Sequence, residues 1–162
     1  MLQTKRADFS GIAARFHISP VTARIIRNRD VEGETAIDRY LNGTLDQLYD
    51  PHLMKDMDKA ASLILEKIQA GARIRIVGDY DIDGVCSTYL LYRGLSRCGG
   101  HVDYQIPERI RDGYGINESI IRKAKEDGID TIVTCDNGIA ALEQVRLAKE
   151  LGMTVIVTDH HE

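Results

Sequence analysis

At 162 residues, with 43% hydrophobic and 28% charged residues, the chain is long enough to bury a core and falls in the range of a globular domain with an appendage. A net charge of −4 excludes a surface that coats polyanions throughout, so any nucleic-acid contact is expected to be local, bridged by metal or supplied by further parts. The opening MLQTKRADFSG lacks the apolar region of a secretory signal, and no run approaches the roughly 18 apolar residues of a membrane span, which predicts a cytoplasmic protein.

In chain order, the first signals are helical. Ser19 before Pro20 reads as an N-cap with proline at the first helical position, and Val21, Ile25 and Ile26 recur behind it at helical spacing. The segment Gly11 to Arg29 also has the spacing of a helix-turn-helix, but short helical pairs share that pattern and no dimerisation element follows. Packing against the sheet domain is the expected role. Glu34 to Leu41, closed by Asn42 and Gly43, predicts another helix. Met54, Met57, Ala61, Ile64, Leu65 and Ile68 predict one face of a longer helix ending at Gly71.

From residue 72 the pattern changes to short β-branched runs alternating with amphipathic segments. Strands are expected over Ile74–Val77, Val102–Ile106, Thr131–Cys135 and Thr154–Thr158, with helices at about Val85–Cys98, Asn117–Gly128 and Ala141–Leu151. Alternation of this kind requires right-handed crossovers. It predicts an α/β, doubly wound parallel sheet with helices on both faces, over residues 72–162, preceded by a helical lead-in over residues 1–71. The helix that should return after the last strand lies past residue 162, so the chain reads as a piece of a longer protein. Cys86, Cys98 and Cys135 lack paired CxxC spacing and are expected to be reduced thiols, mostly in the core.

In an open parallel sheet the ligand site lies outside the carboxyl ends of the strands. Three of the four predicted strands run into metal-ligand residue types: Asp79, Asp81 and Asp83 in GDYDIDG, Asp136 in CDNGI, and Asp159, His160 and His161 in DHHE. Taken singly, DYDIDG is also an ordinary turn with a helix N-cap, and Asp-Asn-Gly an ordinary turn. Together at three strand ends, they point to one site. Gathered carboxylates repel one another unless a cation lies between them. Aspartate oxygen with imidazole nitrogen and no thiolate suits manganese better than calcium. Two such ions about 3.5–4 Å apart, sharing one aspartate, would clamp an in-line displacement at phosphorus with a bridging hydroxide as nucleophile. Arg109 and Arg111, in the loop before the helix at Asn117, are candidate phosphate contacts, although most exposed arginines have no ligand.

The series GDYDIDG, IPERIRDGYGI, CDNGI and DHHE, in this order and spacing, resembles the DHH phosphoesterase superfamily and within it the RecJ branch; LNGTLDQLYDPHLMKDMDKA resembles the helical lead-in of the same branch. The resemblance implies that Asp81, Asp83, Asp136 and His160 are metal ligands of a two-metal Mn2+ or Mg2+ site, with Asp136 as the bridge. It also implies that His161 faces the scissile phosphate, and that Asp79 serves the metals directly or through the loop. Asn137 stands where RecJ chains commonly carry cysteine, a change expected to be tolerated because the neighbouring aspartate does the coordination. A further family aspartate falls past residue 162, so this piece alone is expected to be nearly inactive.

The function implied is a fragment of a metal-dependent single-stranded DNA exonuclease, 5′ to 3′, in DNA repair and recombination. Single-strand-binding protein or a helicase would be partners of the complete protein. The alternatives are a DHH phosphodiesterase of short oligonucleotides or cyclic dinucleotides, which the helical lead-in disfavours, and a noncatalytic RecJ-like DNA-binding protein, which the surviving ligands disfavour.

Overall fold

Two β-branched runs, Arg73–Val77 (β1) and Thr131–Cys135 (β3), form the centre of a four-stranded parallel sheet in the computed structural model of the chain. His101–Gln105 (β2) and Thr154–Thr158 (β4) flank them in the order β2-β1-β3-β4. The structure describes residues 5–108 and 113–161, so Arg109 and Arg111 lie outside the described residues. The central strands are buried almost throughout while the edge strands are half-buried. A strand covered on both faces has no solvent side, which is why these runs do not alternate with polar residues.

The helices lie on both sides. On one face Ile74, Val133 and Ile156 pack against Ala60, Leu63, Ile64 and Ile68 of α4 (Met57–Gln69) and against Leu91 and Leu95 of α5 (Ile82–Arg97). On the other, Val77 and Ile132 meet Ile120, Ile121 and Ala124 of α6 (Glu118–Glu126) and Leu147 and Ala148 of α7 (Leu142–Glu150). Burying each isoleucine contributes about 1.5–3 kcal/mol, so these two layers, not the acidic edge, carry the stability of the sheet.

The chain divides into two compact units, residues up to Leu53 and residues from Met54 onward. By its packing α4 goes with the sheet, although it lies in the segment read as lead-in. The first unit holds α1 (Phe9–Phe16), α2 (Pro20–Asn28), α3 (Glu34–Asn42) and two short 3-10 turns, with Ala13, Ala23, Ile26 and Ile37 buried. Ser19 caps α2, accepting from the Thr22 N–H at 3.0 Å, as its position before Pro20 predicts. Val21 and Ile25 face outward, because the small Ala23 and not a branched residue fills the buried stripe with Ile26. The stripe of α4 is likewise displaced: Ala60 and Leu63 pack on the sheet, while Ala61 and Leu65 are exposed. Of the three cysteines only Cys135 is buried, since Cys86 and Cys98 lie on outward positions of α5 and its C-cap. Among the described residues no helix is long and apolar enough to cross a membrane.

A buried arginine ties α6 to the sheet. The Arg75 guanidinium donates to both oxygens of Asp103 on β2, at 2.8 and 2.7 Å, and lies 3.1 Å from Asp127 at the C-cap of α6. The Lys123 ammonium bonded to Asp127, and then Arg75 against the opposing effect of burial, hold that carboxyl below its usual range. A depressed folded-state pKa contributes stability that is present above the unfolded value of about 3.9 and is lost as pH falls through the folded value. Asp127→Asn is therefore expected to be less stable than wild type at pH 7, with the gap closing below about pH 4. Denaturant midpoints between pH 7 and 3 check this, and a gap that stays constant would show that the ion pair is not responsible.

Candidate metal centre

The crossovers from β1 to β2 and from β2 to β3 run in opposite directions, so the strand order reverses between β1 and β3. A crevice opens at such a switch point outside the carboxyl ends. There the chain after β1 supplies Asp79, Asp81 and Asp83, the chain after β3 supplies Asp136, and the chain after β4 supplies Asp159, His160 and His161.

The glycines of GDYDIDG have a packing role. A Cβ at Gly84 would lie 2.5 Å from the Asp79 carbonyl oxygen, and one at Gly78 would lie 2.0 Å from the Thr88 hydroxyl. Backbone-to-backbone contact thus seats the first turn of α5 against the end of β1. Asp81 caps that turn, accepting from the Gly84 N–H at 2.9 Å, and this bond holds its carboxyl below the usual range. The plain reading of DYDIDG as a capped helix start is correct for Asp81. The same carboxyl lies near enough to Asp136 for its charge to act on that residue. Asp83, in the first helical turn, is exposed and lines a cavity of about 500 Å3 together with Asp136 and His160; Met54, Met57, Leu90 and Leu91 form its apolar wall.

Asp136 has a left-handed backbone, φ 63°. Such a conformation is uncommon for a residue with a side chain, though aspartate tolerates it better than most. Its N–H donates to the Thr158 carbonyl at 3.1 Å, and its own carbonyl accepts from the Tyr114 hydroxyl at 2.9 Å. The turn aims the side chain into the crevice, where Oδ1 lies 2.8 Å from His160 Nε2 and Oδ2 is buried without a hydrogen-bond partner. Burial, and then the charge of Asp81, push the Asp136 carboxyl above the usual range.

Asp136, His160 and His161 each present a donor atom, and the three atoms lie within 4.8 Å of one another. Asp79 is placed differently. It is fully buried, accepts from the Gly115 N–H at 3.3 Å through Oδ1, and leaves Oδ2 unpartnered. Partnerless buried carboxylate oxygens cost free energy that a bound cation recovers. The donor set also fits one, being carboxylate and imidazole with no thiolate, since Cys135 Sγ contacts the Thr88 hydroxyl at 3.3 Å.

The parts played by three residues of this edge escape a reading of motifs. Tyr114 projects from between Gly113 and Gly115, both at positive φ. Half of the residue is exposed, but its hydroxyl is turned inward onto Asp136; burial of that hydroxyl, and then the charges of Asp79, Asp136, Asp159 and Asp81, push the phenol up to about 12. Asn137, 1% exposed, donates to the Val77 and Cys135 carbonyls and accepts from the Ile116 N–H. Asp159 holds the histidines: its Oδ1 accepts from the N–H groups of His160 and His161 and lies 2.7 Å from His161 Nδ1. The flanking glycines of DGYG were the one sequence signal available, since paired positive-φ positions fix what lies between them.

A doubly wound sheet with carboxylates and imidazoles converging at its switch point defines a class of α/β protein whose donor atoms at that edge suit divalent cations. Residues 73–162 match the DHH family, N-terminal domain, and the chain belongs to that family. It is 40% identical over 151 residues to the single-stranded-DNA-specific exonuclease RecJ of Bacillus subtilis, which covers 93% of this chain and 19% of the relative. To the Escherichia coli protein of the same name it is 34% identical over 145 residues, 89% of this chain and 24% of the relative. A crystal structure of exonuclease RecJ bound to manganese superposes with a TM-score of 0.66 at 38% identity, covering 71% of this chain and 30% of that one. RecJ from Thermus thermophilus in complex with Mn2+ gives 0.62 at 29% identity, covering 96% and 21%. The chain thus spans about a fifth to a quarter of the curated relatives it matches.

Proposed function

We propose that this chain is the metal-holding part of a Mn2+- or Mg2+-dependent exonuclease that removes nucleotides from single-stranded DNA in the 5′ to 3′ direction, in cytoplasmic DNA repair and recombination. The observation that carries this reading is the convergence of Asp136, His160 and His161 at the switch point, with a buried Asp136 oxygen lacking a partner. Asp81, Asp83, Asp136 and His160 would hold two ions, Asp136 shared between them, and Asp79 would support the loop or a metal ligand. Bound there, the ions would activate water and offset charge developing at phosphorus.

The residues of the chain have their own parts in this reading. The Asp81 carboxyl, anchored through the Gly84 N–H, keeps its position as the charge of the site changes. His161 presents Nε2 toward the Tyr114 hydroxyl, 3.5 Å away, and would meet the scissile phosphate from that side. Arg109 and Arg111 would add phosphate contacts. Local contacts of this kind agree with the net charge of −4, which excludes a surface that grips polyanions throughout. Single-strand-binding protein or a helicase would deliver the strand.

Calorimetric titration of the chelator-treated chain with MnCl2 is expected to show binding that is lost in Asp136→Asn. A polypeptide carrying the remainder of the relatives' length is expected to release mononucleotides from 5′-labelled single strands and to leave blunt duplex intact. Absence of manganese binding, or equal digestion of duplex, would overturn the proposal.

A further inference from the structure

Asp159 has the residue type of a metal ligand and stands at a strand end beside two histidines, yet its oxygens are already committed. Its side chain is 3% exposed. Oδ2 accepts from the Ile139 N–H at 2.9 Å; Oδ1 accepts from the His160 N–H at 2.8 Å and the His161 N–H at 3.1 Å, and takes the ring contact with His161 Nδ1 at 2.7 Å. Four N–H groups around one buried carboxylate occupy the lone pairs that coordination would need. An ionised carboxylate is only an acceptor, so the ring nitrogen facing it must carry hydrogen. The other nitrogen, Nε2, is thereby left to the crevice, beside the Tyr114 hydroxyl, and the His161 ring centroid lies 4.4 and 6.1 Å from those of His160 and Tyr114.

We propose that Asp159 is a positioning residue that locks His161 in the Nδ1–H tautomer and turns Nε2 into the site, while its bond to Ile139 fixes the loop after β3 to the loop after β4. His161 is 46% exposed at its side chain, so packing alone does not orient it. The short Asp159 contact does. Without that acceptor an imidazole in water favours hydrogen on Nε2, so the donor and acceptor faces of the ring would exchange places. The inference rests on the nuclease reading only for what His161 meets; the tautomer itself is a property of the metal-free chain.

Long-range 1H–15N correlation spectra of the 15N-labelled chain in chelator test it directly. Wild type is expected to show a pyrrole-type Nδ1 and a pyridine-type Nε2 at His161, at a pH where the ring is neutral. An Nε2–H tautomer in wild type overturns the proposal without recourse to any variant. Asp159→Asn is expected to shift His161 toward Nε2–H; an unchanged tautomer in a folded variant also overturns it. In a nuclease-competent polypeptide the same substitution is expected to lower kcat by roughly 10–100-fold, as loss of an orienting partner typically does, with KM for single strands nearly unchanged. A wild-type polypeptide with the Nδ1–H tautomer and no hydrolysis would sink the nuclease reading and leave the positioning role standing.

Discussion

Asp136→Asn, in a nuclease-competent polypeptide containing this domain, is expected to abolish manganese-dependent hydrolysis while leaving the metal-free fold as stable as wild type or more so. The two halves of this expectation come from one geometry. Asparagine keeps the length of the side chain and accepts the left-handed backbone at φ 63°, so the turn that meets Thr158 and Tyr114 survives. What disappears is a buried charge that burial and Asp81 already disfavour. Relieving such a site commonly recovers about 0.5–2 kcal/mol. Losing an outer partner of a metal already costs roughly 10–100-fold, so losing the proposed shared ligand should exceed about 100-fold. Thermal melts in chelator and initial rates in manganese decide the matter. A variant that melts well below wild type would make Asp136 structural, and one that keeps its rate would remove it from the reaction.

How much of this was legible in the sequence depends on the range of the interaction that fixes each feature. β3 and β4 have the bounds their β-branched runs predict, since burial on both faces selects such residues along the whole strand. The convergence of Asp81, Asp136, His160 and His161 at one edge was also readable, because a parallel sheet sends every strand's carboxyl end to the same side. Helix faces were less so. On α4 the choice between Ala60 and Ala61, or Leu63 and Leu65, turns on a rotation that only the sheet decides. Arg75 reads as one of two arginines in RIRIV, yet its partners come 28 and 52 positions later. The roles of Tyr114, Asn137 and Asp159 are hydrogen bonds between loops distant in sequence, and a motif names such residues without saying which atoms they hold.

Asn137 illustrates the point and carries the other large expected effect. Asn137 in place of the cysteine common in RecJ chains is expected to be tolerated for coordination, and its carboxamide takes a separate part, joining three pieces of chain at the switch point: Nδ2 donates to the Val77 carbonyl at 3.0 Å and the Cys135 carbonyl at 2.9 Å, and Oδ1 accepts from the Ile116 N–H at 3.0 Å. A Cβ on Gly115 would come within 3.0 Å of Asn137, so the loop is seated against this side chain as well as bonded to it. Asn137→Ala strips partners from one N–H and two carbonyls in a region without water access, and each buried group left unsatisfied costs about 1–3 kcal/mol. A loss of about 3 kcal/mol or more is expected, which for a chain of this size lowers Tm by roughly 6–12 °C. The damage should also reach the site. Once Ile116 is released, the 113–116 loop no longer holds the Tyr114 hydroxyl on the Asp136 carbonyl, so manganese affinity measured calorimetrically should fall in the variant even well below its Tm. Serine, whose single hydroxyl cannot serve both carbonyls and the N–H, should fall between alanine and wild type. Equal melting of Asn137→Ala and wild type would mean that the clasp contributes nothing; a lowered Tm with unchanged manganese affinity would confine it to the core and separate it from the metal edge.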